Sequence, residues 1–348
     1  MRYRAQRRHH RRPAAGPRRR SGERIALYAR KRIALALAVA VLGGCSSPHS
    51  NSASSNVQAS PEAGAAAGSK VIGVSIQDRE AQFYQSMESG MREEAKRYGY
   101  SLHVVDANRD NSKQQSQVED FISQKVDAIV LTPYDSTAIG SAIVEANNAN
   151  VPVFTADIAS ASKQGTVVAH IASNNVQGGM EAGTLMCQAL KGKSNPTVAI
   201  IDEPEITSVQ DRVKGFKEQL AKGCPDVKVV ADITAGGQRT KASSVADDLL
   251  QRNPNLSGIF GINDDSALGA MKSVQAAGKA GKVVIVGYDA TAEARAAIKA
   301  GTMYGDAIQH PDQIGKLTID AVHDYFGGKH PEKMIAVPVG TFTRADAQ

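Results

Sequence analysis

The segment IVLTPYDSTAIGSAIVEANNANVPVFTAD, residues 129–157, has a pattern that recurs further along the chain. An apolar run leads into a polar turn with Asp-Ser, then apolar residues at helical spacing, then a second apolar run and Asp157. The segment IFGINDDSALGAMKSVQAAGKAGKVVIVGYD, residues 259–289, repeats this order and ends in Asp289. The Asp-Ser pairs are of the types preferred at helix N-caps. The two segments therefore predict two similar strand–turn–helix–strand units.

The same alternation extends over most of the chain after Lys70. Its apolar runs, such as 71–76 and 197–201, are continuous, which is typical of parallel strands buried on both faces. About 280 residues follow Lys70, more than one hydrophobic core usually holds. The predicted fold class is α/β, with two lobes that are each a doubly wound parallel sheet. The series of predicted elements ends with a helix over residues 311–326.

Polar side chains follow several of the predicted strands. Ligands bind at the carboxyl ends of strands in open parallel sheets, so two facing edges would form a cleft. Carboxylates and amides suit hydroxyl groups as hydrogen-bond partners. The strand-end candidates for ligand binding are Asp157, Asn175, Asn263, Asp289 and Gln309. The alternative for each alone is turn chemistry or core packing, and for Asp289 it is a cap on the helix near Thr291.

Two aromatic residues and one arginine add to this predicted cleft. Phe83 and Tyr84 stand at the start of the first predicted helix, where an aromatic face can stack on the C–H face of a sugar ring. Arg212 begins a helix after a polar loop and has two interpretations, a ligand contact or a structural ion pair. His170 lies in an apolar run and is predicted to be a packed core histidine.

Motifs of catalysis and of cofactor binding are absent from the sequence. It contains no P-loop, no HExxH, no G-x-S-x-G and no G-x-G-x-x-G between a strand and a helix. The cysteine and histidine spacings do not indicate a metal site. The chain is therefore predicted not to be an enzyme and to need no cofactor.

The N-terminal region has the pattern of a secretory signal. Arg30, Lys31 and Arg32 precede an apolar run of about ten residues, too short to span a bilayer, and Gly43-Gly44-Cys45 follows. This resembles a bacterial lipobox, in which the cysteine is acylated, and the alternative is a plain signal peptide with an incidental cysteine. We predict a lipoprotein signal peptide over 1–44, lipidation of Cys45, and a disordered Ser- and Ala-rich tether over 45–69. The protein would lie in the periplasm or at the cell surface, anchored to the membrane by lipid.

The positive charge of the whole sequence comes from this leader. Residues 1–44 hold 13 of the 41 Lys and Arg and one of the 35 acidic residues, so the remainder has 28 basic against 34 acidic residues. That remainder has no basic stripe with interleaved aromatics, so no nucleic-acid partner is predicted.

The chain as a whole resembles a known family, the ribose-type periplasmic solute-binding proteins of ABC sugar importers. The stretches that carry the resemblance are FYQSMESG (83–90), VAHIASNNVQGG (168–179), FGINDDSALGA (260–270), VGYD (286–289) and IQHPDQIG (308–315). The resemblance implies the type I binding-protein fold, with a three-strand hinge and a sugar held by the strand-end candidates beneath Phe83 and Tyr84. It implies a first lobe of 70–173 plus 310–340 and a second of 174–309 plus 341–348.

Departures from the family pattern make ribose itself a doubtful ligand. Ile158 and Gln210 stand where the resemblance leads us to expect ligand-binding arginines, and a cleft aromatic is replaced near Gly237. Arg79, in a longer charged loop, is a further candidate that could supply a guanidinium. The predicted ligand is accordingly a monosaccharide or a polyol.

The two cysteines of the second lobe leave two alternatives open. Cys187 and Cys224 of an exported chain suggest a disulfide, but two buried free thiols fit as well. Helices that flank one strand in right-handed crossovers often lie on opposite faces, which argues against contact. The prediction is a bridge within the second lobe.

Several functions are compatible with such a two-lobed chain. The leading interpretation is a monomeric sugar-binding lipoprotein that delivers its ligand to an ABC transporter permease. The alternative is a sugar sensor that presents its ligand to a chemoreceptor or signalling receptor. A LacI-type repressor would need an N-terminal helix-turn-helix in place of the lipobox, and a Rossmann enzyme would need a phosphate-binding loop.

Overall fold

The computed structural model describes residues 69–347. The predicted signal peptide and Cys45 lie outside the described residues, as does the predicted tether apart from Ser69. No helix within 69–347 combines the length and apolarity needed to cross a membrane.

Each lobe is built on one six-stranded sheet. The first sheet has the order β11-β5-β4-β3-β1-β2 and the second β12-β10-β9-β8-β6-β7. The first contains β1 Val71–Ile76, β2 Ser101–Asp106, β3 Ala128–Leu131, β4 Val153–Ala156, β5 Val167–Ser173 and β11 Met334–Val337. The second contains β6 Thr197–Asp202, β7 Lys228–Thr234, β8 Gly258–Gly261, β9 Val284–Asp289, β10 Gly305–Ile308 and β12 Gly340–Thr343. Pairing is parallel except between β10 and β12.

Helices cover both faces of each sheet. The first lobe has α1 Gln82–Tyr98, α2 Asn111–Ser123, α3 Gly140–Asn148 and α9 Pro311–Phe326. The second has α4 Asn175–Leu190, α5 Thr207–Gly223, α6 Arg239–Arg252, α7 Asp264–Ala276 and α8 Ala292–Ala300. Two apolar clusters in each lobe, one on either side of the sheet, account for the continuous apolar strands. The predicted fold class is confirmed.

The chain passes between the sheets at three places. It leaves the first sheet after β5, returns after β10, and crosses again between β11 and β12. The sequence pattern missed these last two strands. Each combines a length of only four residues with partial exposure, whereas the other strands are either mostly buried or, like β2 and β7, at least six residues long.

The predicted disulfide is confirmed, although the crossover rule for helices that flank one strand suggested that the two cysteines would not meet. Cys187 in α4 and Cys224 at the end of α5 form a disulfide with Cα atoms 5.6 Å apart. The crossover rule concerns successive strands of one sheet, whereas α4 follows β5, which belongs to the other sheet. Both helices pack together on one face of the second sheet.

The core histidine prediction is also confirmed. His170 in β5 is buried, with Nδ1 2.9 Å from the hydroxyl oxygen of Thr155. Burial lowers the pKa of His170 to about 4, against a smaller opposite effect of its hydrogen bond to the backbone of Thr155. The ring is thus neutral over the physiological range.

Candidate ligand-binding cleft

A cavity lies where the carboxyl ends of both sheets face each other. The empty space between its walls, open mouth included, is about 580 Å³. The predicted residues that line it are Phe83, Tyr84, Asp157, Arg212, Asn263, Asp289 and Gln309. Gln77, Arg109, Glu203 and Asp264 line it as well, although no sequence pattern singled them out.

The first turn of α1 supplies the aromatic part of the cavity. The Phe83 and Tyr84 rings lie edge to face with centroids 5.1 Å apart. The Tyr84 hydroxyl accepts from Nε2 of Gln77 over 2.6 Å and donates to Oδ2 of Asp157 over 3.2 Å. Burial, and then the charge of Asp157, raises the pKa of Tyr84 well above its usual value, so the phenol stays protonated.

Asp157 offers one free acceptor from the first lobe. It follows β4 with a φ of 64°, in the left-handed region, and it is buried. Its Oδ1 has no hydrogen-bond partner among the described residues. Burial raises the pKa of Asp157, and the Arg212 guanidinium opposes that rise. A ligand hydroxyl that donates to Oδ1 would satisfy this oxygen.

Asp289 and Gln309 form the corresponding pair in the second lobe. Nε2 of Gln309 donates to Oδ1 of Asp289 over 2.6 Å, which leaves Oε1 of Gln309 without a partner among the described residues. The other oxygen of Asp289 lies 3.4 Å from the backbone nitrogen of Asp264. Burial, and then the nearby Asp264 carboxyl, raises the pKa of Asp289 well above its usual value.

Asp135 accepts from the backbone nitrogens of Thr137 and Ala138 before α3, as its pair predicts, whereas the expected caps of α7 and α8 are supplied by other residues. Oδ2 of Asp264, not Asp289, accepts from the backbone nitrogen of Thr291 over 2.7 Å at the start of α8. Asp265 lies inside α7, and the N-cap of that helix is Asn263, whose Oδ1 accepts from the nitrogen of Ser266 over 2.9 Å. The cap interpretation of Asp289 is therefore wrong.

Arg212 is fixed from behind the cavity. Its Nε donates to Oδ1 of Asn175 over 2.9 Å, its Nη1 donates to the Ile262 carbonyl oxygen over 3.0 Å, and its guanidinium lies over the Tyr288 ring. Asn175 is thus not among the cavity-lining residues but holds Arg212 in place. Helix α5 can approach α4 this closely because residue 179 is a glycine; a Cβ at this position would overlap the carbonyl group of Arg212.

Comparison with known proteins agrees with this architecture. Residues 72–330 match the family described as "Periplasmic binding protein domain". The chain belongs to this family. A periplasmic binding protein of this kind is expected outside the cytoplasm. The predicted resemblance to the ribose-type proteins is confirmed.

Individual relatives of this periplasmic binding protein are similar over most of their length. It is 35% identical to the ribose import binding protein RbsB of Bacillus subtilis (strain 168) over 268 residues, 77% of this chain and 85% of the relative. A solute-binding protein of Actinobacillus succinogenes 130z with bound D-allose has a TM-score of 0.74 at 28% identity, covering 80% and 99% of the two chains. A Caulobacter protein bound to myo-inositol has a TM-score of 0.74 at 29% identity, covering 80% and 95%.

Two candidate residues of this periplasmic binding protein lie elsewhere. Arg79 forms a bidentate pair with Glu88, with both N–O distances 2.7 Å, and it does not line the cavity. Gln210 donates to the carbonyl oxygen of Pro204 over 2.9 Å on an exposed turn of α5. Ile158 is fully buried in the apolar cluster of the second lobe, although it follows a strand of the first.

Arg109 and Glu203 are the main residues that the sequence reasoning missed. Glu203 directly follows β6, so the strand-end rule that selected Asp289 applies to it too. Burial raises the pKa of Glu203 to about 7, and the positive charge of Arg109 opposes this rise. Within 69–347, no group of three or more His, Cys, Asp or Glu side chains is arranged to hold a metal ion.

Proposed function

We propose that this chain captures a monosaccharide, polyol or cyclitol in the inter-lobe cavity and delivers it to an ABC permease. The proposal is supported mainly by two acceptors that have no hydrogen-bond partner within residues 69–347, one on each wall of the cavity and both near the Phe83 and Tyr84 rings. They are Oδ1 of Asp157 and Oε1 of Gln309. Hydroxyl groups that donate to such acceptors, together with a ring face that stacks on an aromatic, are the chemistry of a sugar or cyclitol.

The arginine of the second wall completes the match. A guanidinium donates hydrogen bonds and accepts none, so Arg212 suits the ring oxygen or the lone pairs of a hydroxyl. Hydroxyl groups both donate and accept, which lets one ligand satisfy Arg212 and the carboxylates together. The named relatives bind ribose, D-allose or myo-inositol. We infer that the ligand of this chain is of the same neutral polyhydroxylated class.

Closure of the two lobes on the ligand is the proposed signal for transport. Three chain crossings link the lobes, which suits a hinge motion. The hinge-closed form would dock on the permease as a monomer.

A thermal-shift screen tests the binding function. The full chain is melted with D-ribose, D-allose, myo-inositol and further sugars and polyols, and NAD serves as the control. A ligand at 100 times its Kd adds about 2.7 kcal/mol of stability. We expect at least one of these compounds, and not NAD, to raise the melting temperature. If no sugar or polyol does so, the proposed function is wrong.

Membrane anchoring through Cys45 is a separate part of the proposal. The lipobox pattern before Cys45 supports acylation of its thiol. Mass spectrometry of the mature wild-type chain should find a lipid-modified N-terminal Cys45, and Cys45→Ala should carry no lipid. An unmodified mature N-terminus at another residue in the wild-type chain would reject the anchor and leave the sugar-binding proposal untouched.

A further inference from the structure

A buried ion pair crosses the cleft. Arg109 follows β2 in the first lobe, and its Nη1 donates to Oε1 of Glu203 over 3.1 Å and to the carbonyl oxygen of Gly236 over 2.5 Å. Both of these acceptors belong to the second lobe. Within its own lobe, the Nε of Arg109 donates to Oδ2 of Asp78 over 2.9 Å. Arg109 is therefore held by one lobe while it binds two groups of the other.

Glu203 fills space that a side chain at residue 237 would need. Gly237 has a φ of 63°, a conformation that glycine adopts without strain. A Cβ at this position would overlap Oε2 of Glu203. The absence of a side chain at Gly237 thus leaves the Glu203 carboxylate at the cavity wall.

One oxygen of Glu203 is available to a ligand. Oε1 accepts from Arg109, whereas Oε2 makes no hydrogen bond to any residue in the range 69–347. Glu203 is only 2% exposed and lines the cavity, so this oxygen is largely shielded from bulk water. Because Glu203 lines the cavity, a donor on the ligand can reach this oxygen and form a charge-assisted hydrogen bond with it in a largely dehydrated site.

We propose that Glu203 is a specificity-determining residue of this cleft, whose Oε2 accepts a hydrogen bond from one particular hydroxyl of the bound sugar or cyclitol. Arg109 acts as a positioning residue. It holds the carboxylate through Oε1, and it does so only when the first lobe has closed on the second. The cleft would thus recognise a hydroxyl and register closure at the same side chain. This inference rests on the proposed function and deepens it.

Calorimetric titrations of Glu203→Gln test this role. D-ribose, D-allose and myo-inositol, with the monodeoxy analogues of whichever of them the wild type binds, are titrated into the full wild-type and variant chains. At pH 8, above the pKa of about 7 of Glu203, we expect Glu203→Gln to weaken binding of the parent ligand by about ten- to a hundredfold, the effect of losing one charge-assisted hydrogen bond. For one monodeoxy analogue this penalty should shrink to less than about threefold, because that analogue lacks the donor.

Substitutions at Arg109 and at Glu88, which forms an ion pair outside the cavity, provide the controls. Arg109→Gln should weaken binding of every analogue, because it removes contacts that hold the closed form, and it should weaken the parent ligand further, because the Glu203 carboxylate is no longer held in place. Glu88→Gln, which breaks the Arg79–Glu88 pair outside the cavity, should leave every affinity unchanged. If Glu203→Gln folds poorly, the same titrations are repeated with Glu203→Met, which has an apolar side chain of similar length.

The outcomes separate this inference from the proposed function. If the wild type binds none of the three probes or any other sugar or polyol, the proposed function fails and this inference fails with it. If the wild type binds but Glu203→Gln costs nothing, or costs the same for every analogue, only the role of Glu203 is overturned.

Discussion

The two walls of the cavity differ in chemistry. The first lobe contributes the Phe83 and Tyr84 rings and the carboxylate of Asp157, whereas the second contributes Arg212 with several carboxyl and amide groups. Aromatic stacking depends mainly on contact area and tolerates different ring substituents. Hydrogen bonds to buried charged groups depend on the position of each hydroxyl. We therefore expect the aromatic rings of the first wall to supply general affinity for rings, and the second wall, which has more charged and amide groups, to supply most of the discrimination among them.

The walls also differ in how their side chains are held. The N-cap of α1 is Ala81, which makes no side-chain cap hydrogen bond; Phe83 is held by packing, and Tyr84 by packing and by its hydrogen bonds with Gln77 and Asp157. In the second lobe, Asn263 and Asp264 bind the backbone at the starts of α7 and α8. These two cavity-lining side chains are therefore fixed by hydrogen bonds to helix ends. Such fixed positions suit a site that distinguishes ligands by where their hydroxyl groups lie.

The largest expected effect is that of Asp289→Ala in the second wall. It removes a carboxylate that can accept charge-assisted hydrogen bonds, each contributing about 1.5–3 kcal/mol, so we expect affinity to fall roughly a hundred- to ten-thousandfold in calorimetric titrations. Asp127→Ala, at the amino end of β3 and paired with Lys70, is the control and should leave affinity unchanged. Unchanged affinity in Asp289→Ala with a lowered melting temperature would show a purely structural role.

An intermediate effect concerns the pH dependence of stability, to which Glu203 in the second lobe and His170 in the first should contribute with opposite signs. Glu203 has a pKa of about 7 in the folded chain, above the pKa it has when unfolded. Its contribution to stability is therefore greatest below the unfolded-state pKa and is lost as the pH rises through 7. Its neighbours include Arg109, Glu205 and Arg212. The lowered pKa of His170, about 4, makes its contribution present above its unfolded value of about 6.5, and that contribution falls as the pH drops toward 4.

Urea denaturation of the ligand-free chain at pH 5 and pH 8 measures both terms. Each group should change the free energy of unfolding by roughly 2 kcal/mol between these pH values, Glu203 favouring pH 5 and His170 favouring pH 8. Glu203→Gln should therefore reduce the stability advantage at pH 5, and His170→Gln should increase it. If both substitutions shift the difference in unfolding free energy between pH 5 and pH 8 in the same direction, the environments assigned to Glu203 and His170 are wrong.

The smallest expected effect is that of Phe83→Leu in the first wall. Loss of aromatic stacking, worth about 0.5–1.5 kcal/mol, should weaken all bound sugars by a similar factor of roughly two to ten. Phe121→Leu, in a buried cluster of the same lobe away from the cavity, is the matched control for loss of an aromatic ring. A change in the ranking of sugars on Phe83→Leu would show that the first wall discriminates too.

The fold could be predicted from the sequence because strands buried on both faces are continuously apolar. The partly exposed edge strands β2 and β7 were still predicted because each has at least six residues, whereas the edge strands β11 and β12 have four residues each and were missed. Their positions depend on the hinge crossings and on pairing with distant strands, which local patterns do not encode.

The site was predictable where one strand end places one side chain in the cavity, as for Asp157 and Asp289. It was not predictable where two distant segments meet. Arg109 and Glu203 are 94 residues apart and pair only because the two lobes face each other. Asn175 has the right residue type at the right edge, but it lies behind Arg212 and binds that side chain instead.

A crystal structure of the full chain with the sugar or cyclitol that the thermal screen selects tests the central claim most directly. The account predicts a ligand ring stacked on Phe83, with hydroxyl oxygens within about 3.2 Å of carboxylate oxygens of Asp157 and Asp289, one from each wall. A ligand bound outside this cavity, or one whose hydroxyls contact only the first wall, would contradict it.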